Sequence, residues 1–160
     1  ASIQWLLRRT SGRPILASAF ASLFLISAAW FPWGLTFFNP FVGGTPQALR
    51  YLADSNVDWG QSLGPAIRYA HRIPLIRVAY FGFDKLDRYC KPGQCINVPI
   101  PWGQDAPVER YIPEPGWYAV SANLLPGHYF LPKYRDYFIE FHRRKPVAVA
   151  GGTMFIYHID

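Results

Sequence analysis

The sequence predicts an α/β protein, in which a single N-terminal transmembrane helix leads into a small extracytoplasmic α/β domain with a mainly parallel sheet of about four strands. Three observations point there. Pro14 to Phe38 is a run of 25 residues without one charged side chain. Ala48 to Phe81 reads as strand, helix, strand, and apolar stretches near the C-terminus supply further strands.

A helix rises about 1.5 Å per residue, so the apolar run would reach roughly 37 Å, enough to cross about 30 Å of hydrocarbon. Trp30, Trp33, Phe37 and Phe38 gather at its C-terminal end, where amphipathic rings favour the headgroup boundary, and Pro32 and Gly34 bend or end the helix there. The regular span is expected from Ile15 to about Trp33. Arg8, Arg9 and Arg13 precede it and no acidic residue occurs before Asp54, which places the N-terminus in the cytoplasm. Residues 1–13 are then a cytoplasmic basic segment, 14–38 the span and 39–160 an extracytoplasmic domain. The basic start and the small residues Ser27-Ala28-Ala29 also fit a cleaved signal peptide. The run is read here as an uncleaved anchor.

The formal charge of +6 belongs partly to the cytoplasmic flank. Residues 39–160 hold 13 Lys and Arg against 10 Asp and Glu, a balance of only +3, so nucleic acid is not an expected partner. The 15 prolines, 13 glycines and 18% aromatic residues predict a loop-rich domain with rings packed over an irregular core.

Within that domain, Ala48 to Asp54 fits a short strand or a helical turn. Ser62 to Arg72 carries apolar residues at helical spacing, with Asn56 or Asp58 as its natural N-cap. Leu75 to Phe81 is β-branched and aromatic and reads as a buried strand. A βαβ unit would place the polar stretch between Asp54 and Gln61 at the carboxyl edge of a parallel sheet, where ligands bind in such folds. Asp84 to Glu114 is broken by prolines and predicts a long loop. Trp117 to Ala122 resumes a strand, Tyr129 to Arg144 predicts a helix, and Val147 to Ala150 with Thr153 to Ile159 closes the sheet around Gly151-Gly152.

Cys90 and Cys95 flank a Pro-Gly turn on the oxidising side of the membrane, and a disulfide is expected between them. Asp54, Asn56, Asp58, Trp59 and Gln61 form either a ligand-contacting loop or a structural turn, and the turn is the preferred reading. No catalytic constellation, metal site or cofactor motif is found, and none of the three is expected. Ala17, Ser18, Ala21 and Ser22 place small residues at four-residue spacing on the helix, a pattern that lets another membrane helix approach closely.

YLADSNVDWGQSL (Tyr51 to Leu63), preceded by FNPFVGG and followed by VAYFG, PGWYAVSA and PVAVAGGTMFIYHID, resembles the C-terminal region of bacterial phospholipid-carrier-dependent, protein-mannosyltransferase-like membrane glycosyltransferases. The resemblance implies a last transmembrane helix leading into a periplasmic α/β domain. In that family the catalytic carboxylate lies in the first external loop of a many-helix enzyme, which this sequence does not contain. It also departs at Ser62, usually acidic in the family, at Gly151-Gly152 and in its cysteine loop. The expected role is therefore a non-catalytic accessory subunit of a larger membrane complex, with the bilayer and other transmembrane subunits as partners; respiratory and photosynthetic assemblies are candidates that the sequence does not itself select. The alternative is the terminal part of a glycosyltransferase that uses a lipid-linked sugar.

Overall fold

The computed structural model describes residues 12–29, 31, 58–102 and 106–160. The expected strand at Ala48–Asp54, the site residues Asp54 and Asn56, and the boundary aromatics Trp30, Trp33, Phe37 and Phe38 lie outside the described residues. The chain divides into two compact units, Ala1–Gly34 and Leu35–Asp160.

In the first unit, helix α1 runs from Gly12 to Ala29, 18 residues, or about 27 Å of rise. It starts ahead of the expected Ile15, because Pro14 is tolerated in a first turn whose N–H groups have no intrahelical partner. The helix is long and apolar enough to cross a membrane. Ala17, Ser18, Ala21 and Ser22 all lie exposed on it. The Ser22 hydroxyl donates to the Ser18 carbonyl at 2.8 Å, so this polar group is satisfied within its own helix.

In the second unit, helix α2 (Leu63–Tyr69) passes into a 3-10 turn at Ala70–Arg72. Strand β1 (Ile76–Ala79) follows, then β2 (Cys95–Asn97), β3 (Gly116–Ser121), the short helix α3 (Ile139–His142), β4 (Ala148–Ala150) and β5 (Met154–Ile159). Among the described residues these make one five-stranded sheet in the order β2-β1-β3-β5-β4. β1 pairs in parallel with β2 and β3, whereas β5 pairs antiparallel with both β3 and β4. The sheet is therefore mixed and has five strands, where a mainly parallel sheet of about four was expected. Two features account for the difference. Gly151 and Gly152 take φ of +58° and +85°, which lets the chain reverse tightly and pair β5 back onto β4. Cys95–Asn97 forms β2 inside the stretch expected to be loop, since its amides and carbonyls find β1 beside them.

Period-two alternation sorts the side chains onto two faces. Ile76, Val78, Ala119, Met154 and Ile156 pack under Leu63, Ala66 and Ile67 of α2. Tyr118, Val120, Phe155, Tyr157 and Ile159 face the other way, onto Phe130, Tyr134, Tyr137, Phe138 and Phe141. The residues at 134, 137, 138 and 141 have the spacing that predicts a helix over Tyr129–Arg144, yet only a 3-10 turn at Pro132–Tyr134 and α3 form. Most hydrogen bonds there span three residues, as in Tyr137 N to Tyr134 O and Phe141 N to Phe138 O, so the segment is wound more tightly than an α-helix. The packing supplies the reason: each ring is fully buried in an aromatic layer, with Tyr137 and Phe138 edge-on at 5.0 Å and Phe141 against Tyr157 at 5.2 Å.

Candidate functional site

The three parallel strands β1, β2 and β3 end on one side of the sheet, the usual ligand edge of α/β folds. Segment 58–61 crosses this edge, and its glycine makes the crossing close. Gly60, at φ +87°, stacks on Gly82, and a Cβ on Gly60 would stand 3.0 Å from the Phe81 carbonyl. Trp59 is thereby delivered beside Phe81, with ring centroids 6.0 Å apart. Phe81 in turn meets Trp102 at 5.4 Å and Tyr129 at 5.1 Å. Trp59, Phe81, Gly82, Phe83 and Trp102 enclose a cleft of about 430 Å³, within the size range of small-molecule sites. Phe83 is 97% exposed and Trp59 57%, an unusual presentation of large rings. Among the described residues no ionisable side chain lines the cleft.

Beneath this wall lies a polar node. Asp58 is fully buried. Its Oδ1 accepts from the Gly60 amide at 2.8 Å, and its Oδ2 accepts from the Ser121 hydroxyl just past the core of β3. Its carbonyl accepts from Asn123 Nδ2 at 2.8 Å. The Ser62 hydroxyl donates to the Gly151 carbonyl at 2.7 Å and accepts from the Thr153 hydroxyl, also at 2.7 Å. Asn123 Oδ1 is buried with no hydrogen-bond partner among the described residues. Burial pushes the Asp58 carboxyl above its ordinary range, and the hydrogen bonds from Ser121, Gly60 and Thr153 only partly hold it back.

Asp58 was expected to cap the following helix, and it does not. The residue before α2 is Ser62, whose side chain makes no capping bond, while Asp58 closes a turn onto Gly60, two residues on. The carboxylate is taken instead by β3, because the core between α2 and the sheet draws the start of the segment inward. The Gln61 side chain accepts from the Trp59 amide at 2.6 Å and braces the same turn. Cys90 and Cys95 are disulfide-bonded. Among the described residues no three His, Cys, Asp or Glu side chains gather as a metal site.

Ser121, Asn123, Thr153, Phe81, Phe83 and Trp102 escaped the sequence reading. A hydroxyl and an amide at the end of an apolar strand, in Ser121-Ala122-Asn123, were the available signal of a polar partner for Asp58. No protein-family model, curated protein or solved structure matches the chain.

Proposed function

We propose that the chain is a membrane-anchored, extracytoplasmic binding module of a larger bacterial membrane assembly, contributing contact rather than chemistry. The carrying observation is that Asp58, beneath the ligand edge, is closed in and engaged by Ser121 and Gly60, so among the described residues the cleft at that edge offers aromatic surface and no carboxylate. The arginine flank of α1 supports a cytoplasmic N-terminus, and the disulfide is consistent with an oxidising compartment for the domain. The exposed Ala17/Ala21 and Ser18/Ser22 pairs supply a face on which another membrane helix fits.

A second reading makes the chain the terminal part of a glycosyltransferase that uses a lipid-linked sugar, with catalysis supplied from outside this sequence. Its support is spatial. Stretches that carry the resemblance and lie far apart in the chain meet around one node: Asp58 bonds Ser121, Ser62 bonds Gly151, and Gly60 stacks on Gly82.

The test is to purify the full chain in mild detergent from its own membranes. Defined membrane subunits should accompany it in fixed ratio, and Ala21→Phe should weaken that association while leaving the outer domain's unfolding unchanged. Turnover of a lipid-linked sugar by the chain alone would sink the accessory reading in favour of the second.

A further inference from the structure

We infer that the groove between α2 and the disulfide loop is a binding site for a phosphate-bearing anion. Arg68 and His71 form one wall and Arg88, Tyr89 and Lys91 the other, with Gly64 at the base, around a space of about 300 Å³. Gly64 matters because its missing side chain leaves room: a Cβ there would stand 3.4 Å from Arg68 Nη1 and 3.7 Å from the Tyr89 ring. The two walls are fastened together rather than merely adjacent. Gln94, only 6% exposed, donates through Nε2 to the carbonyls of Ala70 and Ile73, both at 3.0 Å, and accepts from the Lys91 amide at 3.3 Å. The Cys90–Cys95 bridge closes the same loop on either side of Lys91 and Gln94.

The charged side chains that line this groove are all basic, with Asp84 at its rim paired to Arg88. Arg68, Arg88 and Lys91 line it, and Arg72 stands with Lys91 at the adjoining hollow. Among the described residues no carboxylate lines either, and neither Arg68 nor Lys91 has an ion-pair partner. Arg88 is held at the rim by Asp84 at 2.9 Å, and Asp84 also accepts from the Tyr89 hydroxyl, which orients both side chains. His71 spends its nitrogens on positioning: Nδ1–H donates to the Arg68 carbonyl at 3.1 Å, and Nε2 accepts from Arg72 Nε at 3.2 Å.

Arg68 and Lys91 on opposite walls, beside Arg88 already paired to Asp84, offer several donors, which suits an anion with three terminal oxygens and two charges better than a carboxylate, which presents two oxygens and one. The balance of only +3 over residues 39–160 argues against an extended polyanion. Ile67 and the Tyr89 ring supply an apolar wall for the organic part of a phosphate ester. Such a ligand is a soluble phosphate or diphosphate compound, or the headgroup of an anionic phospholipid.

The experiment uses the full chain in nanodiscs. In phosphatidylcholine discs, inorganic pyrophosphate is titrated calorimetrically at about 0.15 M salt, where weak surface pairing is screened. In parallel, amide exchange over residues 63–72 and 88–95 is compared between pure phosphatidylcholine discs and discs containing phosphatidic acid. Heat with pyrophosphate identifies a soluble phosphate ligand, and protection by phosphatidic acid alone identifies a headgroup; either supports the site. Arg68→Gln with Lys91→Gln should weaken binding at least about tenfold, while Arg143→Gln with Arg144→Gln, the same charge change elsewhere, should alter it less than about twofold. The inference is overturned if wild type shows neither heat nor protection, or if the two double variants lose binding equally.

Discussion

Replacing Asp58 by Ala and by Asn separates a hydrogen-bonding peg from a charge. Alanine removes the acceptor of the Gly60 amide and leaves the Ser121 hydroxyl, fully buried, without its partner. An unsatisfied buried donor costs about 1–3 kcal/mol and a lost hydrogen bond about 0.5–1.5 kcal/mol more, while release of a desolvated carboxylate offsets part of the sum. The expected loss is about 2–4 kcal/mol for Asp58→Ala. Asparagine keeps the Oδ1 acceptor, and the Ser121 hydroxyl can rotate to accept from the new amide, so Asp58→Asn should stay within about 1 kcal/mol of wild type. The sign of the pH dependence follows from burial. Asp58 titrates above its ordinary 3.8 in the folded chain, so between the unfolded and folded pKa the native state holds more protons. Stability from this group is fully present below the unfolded value and is lost as pH rises through the folded one. The difference in unfolding free energy, wild type minus Asp58→Asn, should fall as pH climbs above 3.8 and then level off. Urea unfolding of the detergent-solubilised full chain, followed by tryptophan fluorescence, reads all of this. An alanine variant within about 0.5 kcal/mol of wild type, or an asparagine variant as damaged as the alanine one, would refute the peg.

Three further outcomes are expected. Gly127→Ala should destabilise the domain by more than about 2 kcal/mol in the same urea assay, because Gly127 holds φ +67° and a Cβ would run into the Arg135 carbonyl. Cys95→Ser should cost about 2 kcal/mol, the chain entropy of a loop with sequence separation 5, and a thiol count on the unfolded wild type should find no reactive cysteine until reductant is added. Protease added to intact spheroplasts should digest residues 58–160, and digestion confined to inverted vesicles would reverse the proposed orientation.

How legible this was depended on the range of the interactions. α2, β1, β3 and β5 were readable because each is specified by an apolar pattern within itself, as in Leu63, Ala66, Ile67 and Ala70, and α1 because its apolar run carries no charge. The continuous helix over 129–144 was not realised, since Tyr134, Tyr137, Phe138 and Phe141 all point into one aromatic layer, and its packing tightens the winding locally. β2 was hidden because three residues carry little pattern and their strand character comes from β1 beside them. The polar stretch Asp54 to Gln61 stood out in the sequence, and its described part, 58–61, crosses the sheet edge. Its partners Ser121 and Thr153, and the cleft residues Phe83 and Trp102, lay too far along the chain for spacing to reveal them.

The interior position of β5 has a consequence for synthesis. Residues Met154–Ile159 pair with β3 on one side and β4 on the other, and the hairpin that precedes them brings Thr153 to Ser62, 91 residues earlier. A nascent chain halted before Met154 would leave β3 with an open flank and the start of the sheet's ligand edge unlatched, a sticky intermediate of the kind that aggregates or recruits chaperones. Contacts of such long sequence separation form slowly, so completion of the domain waits on its last strand, and shortening that strand should harm yield in cells before it harms any property of the molecules that do fold.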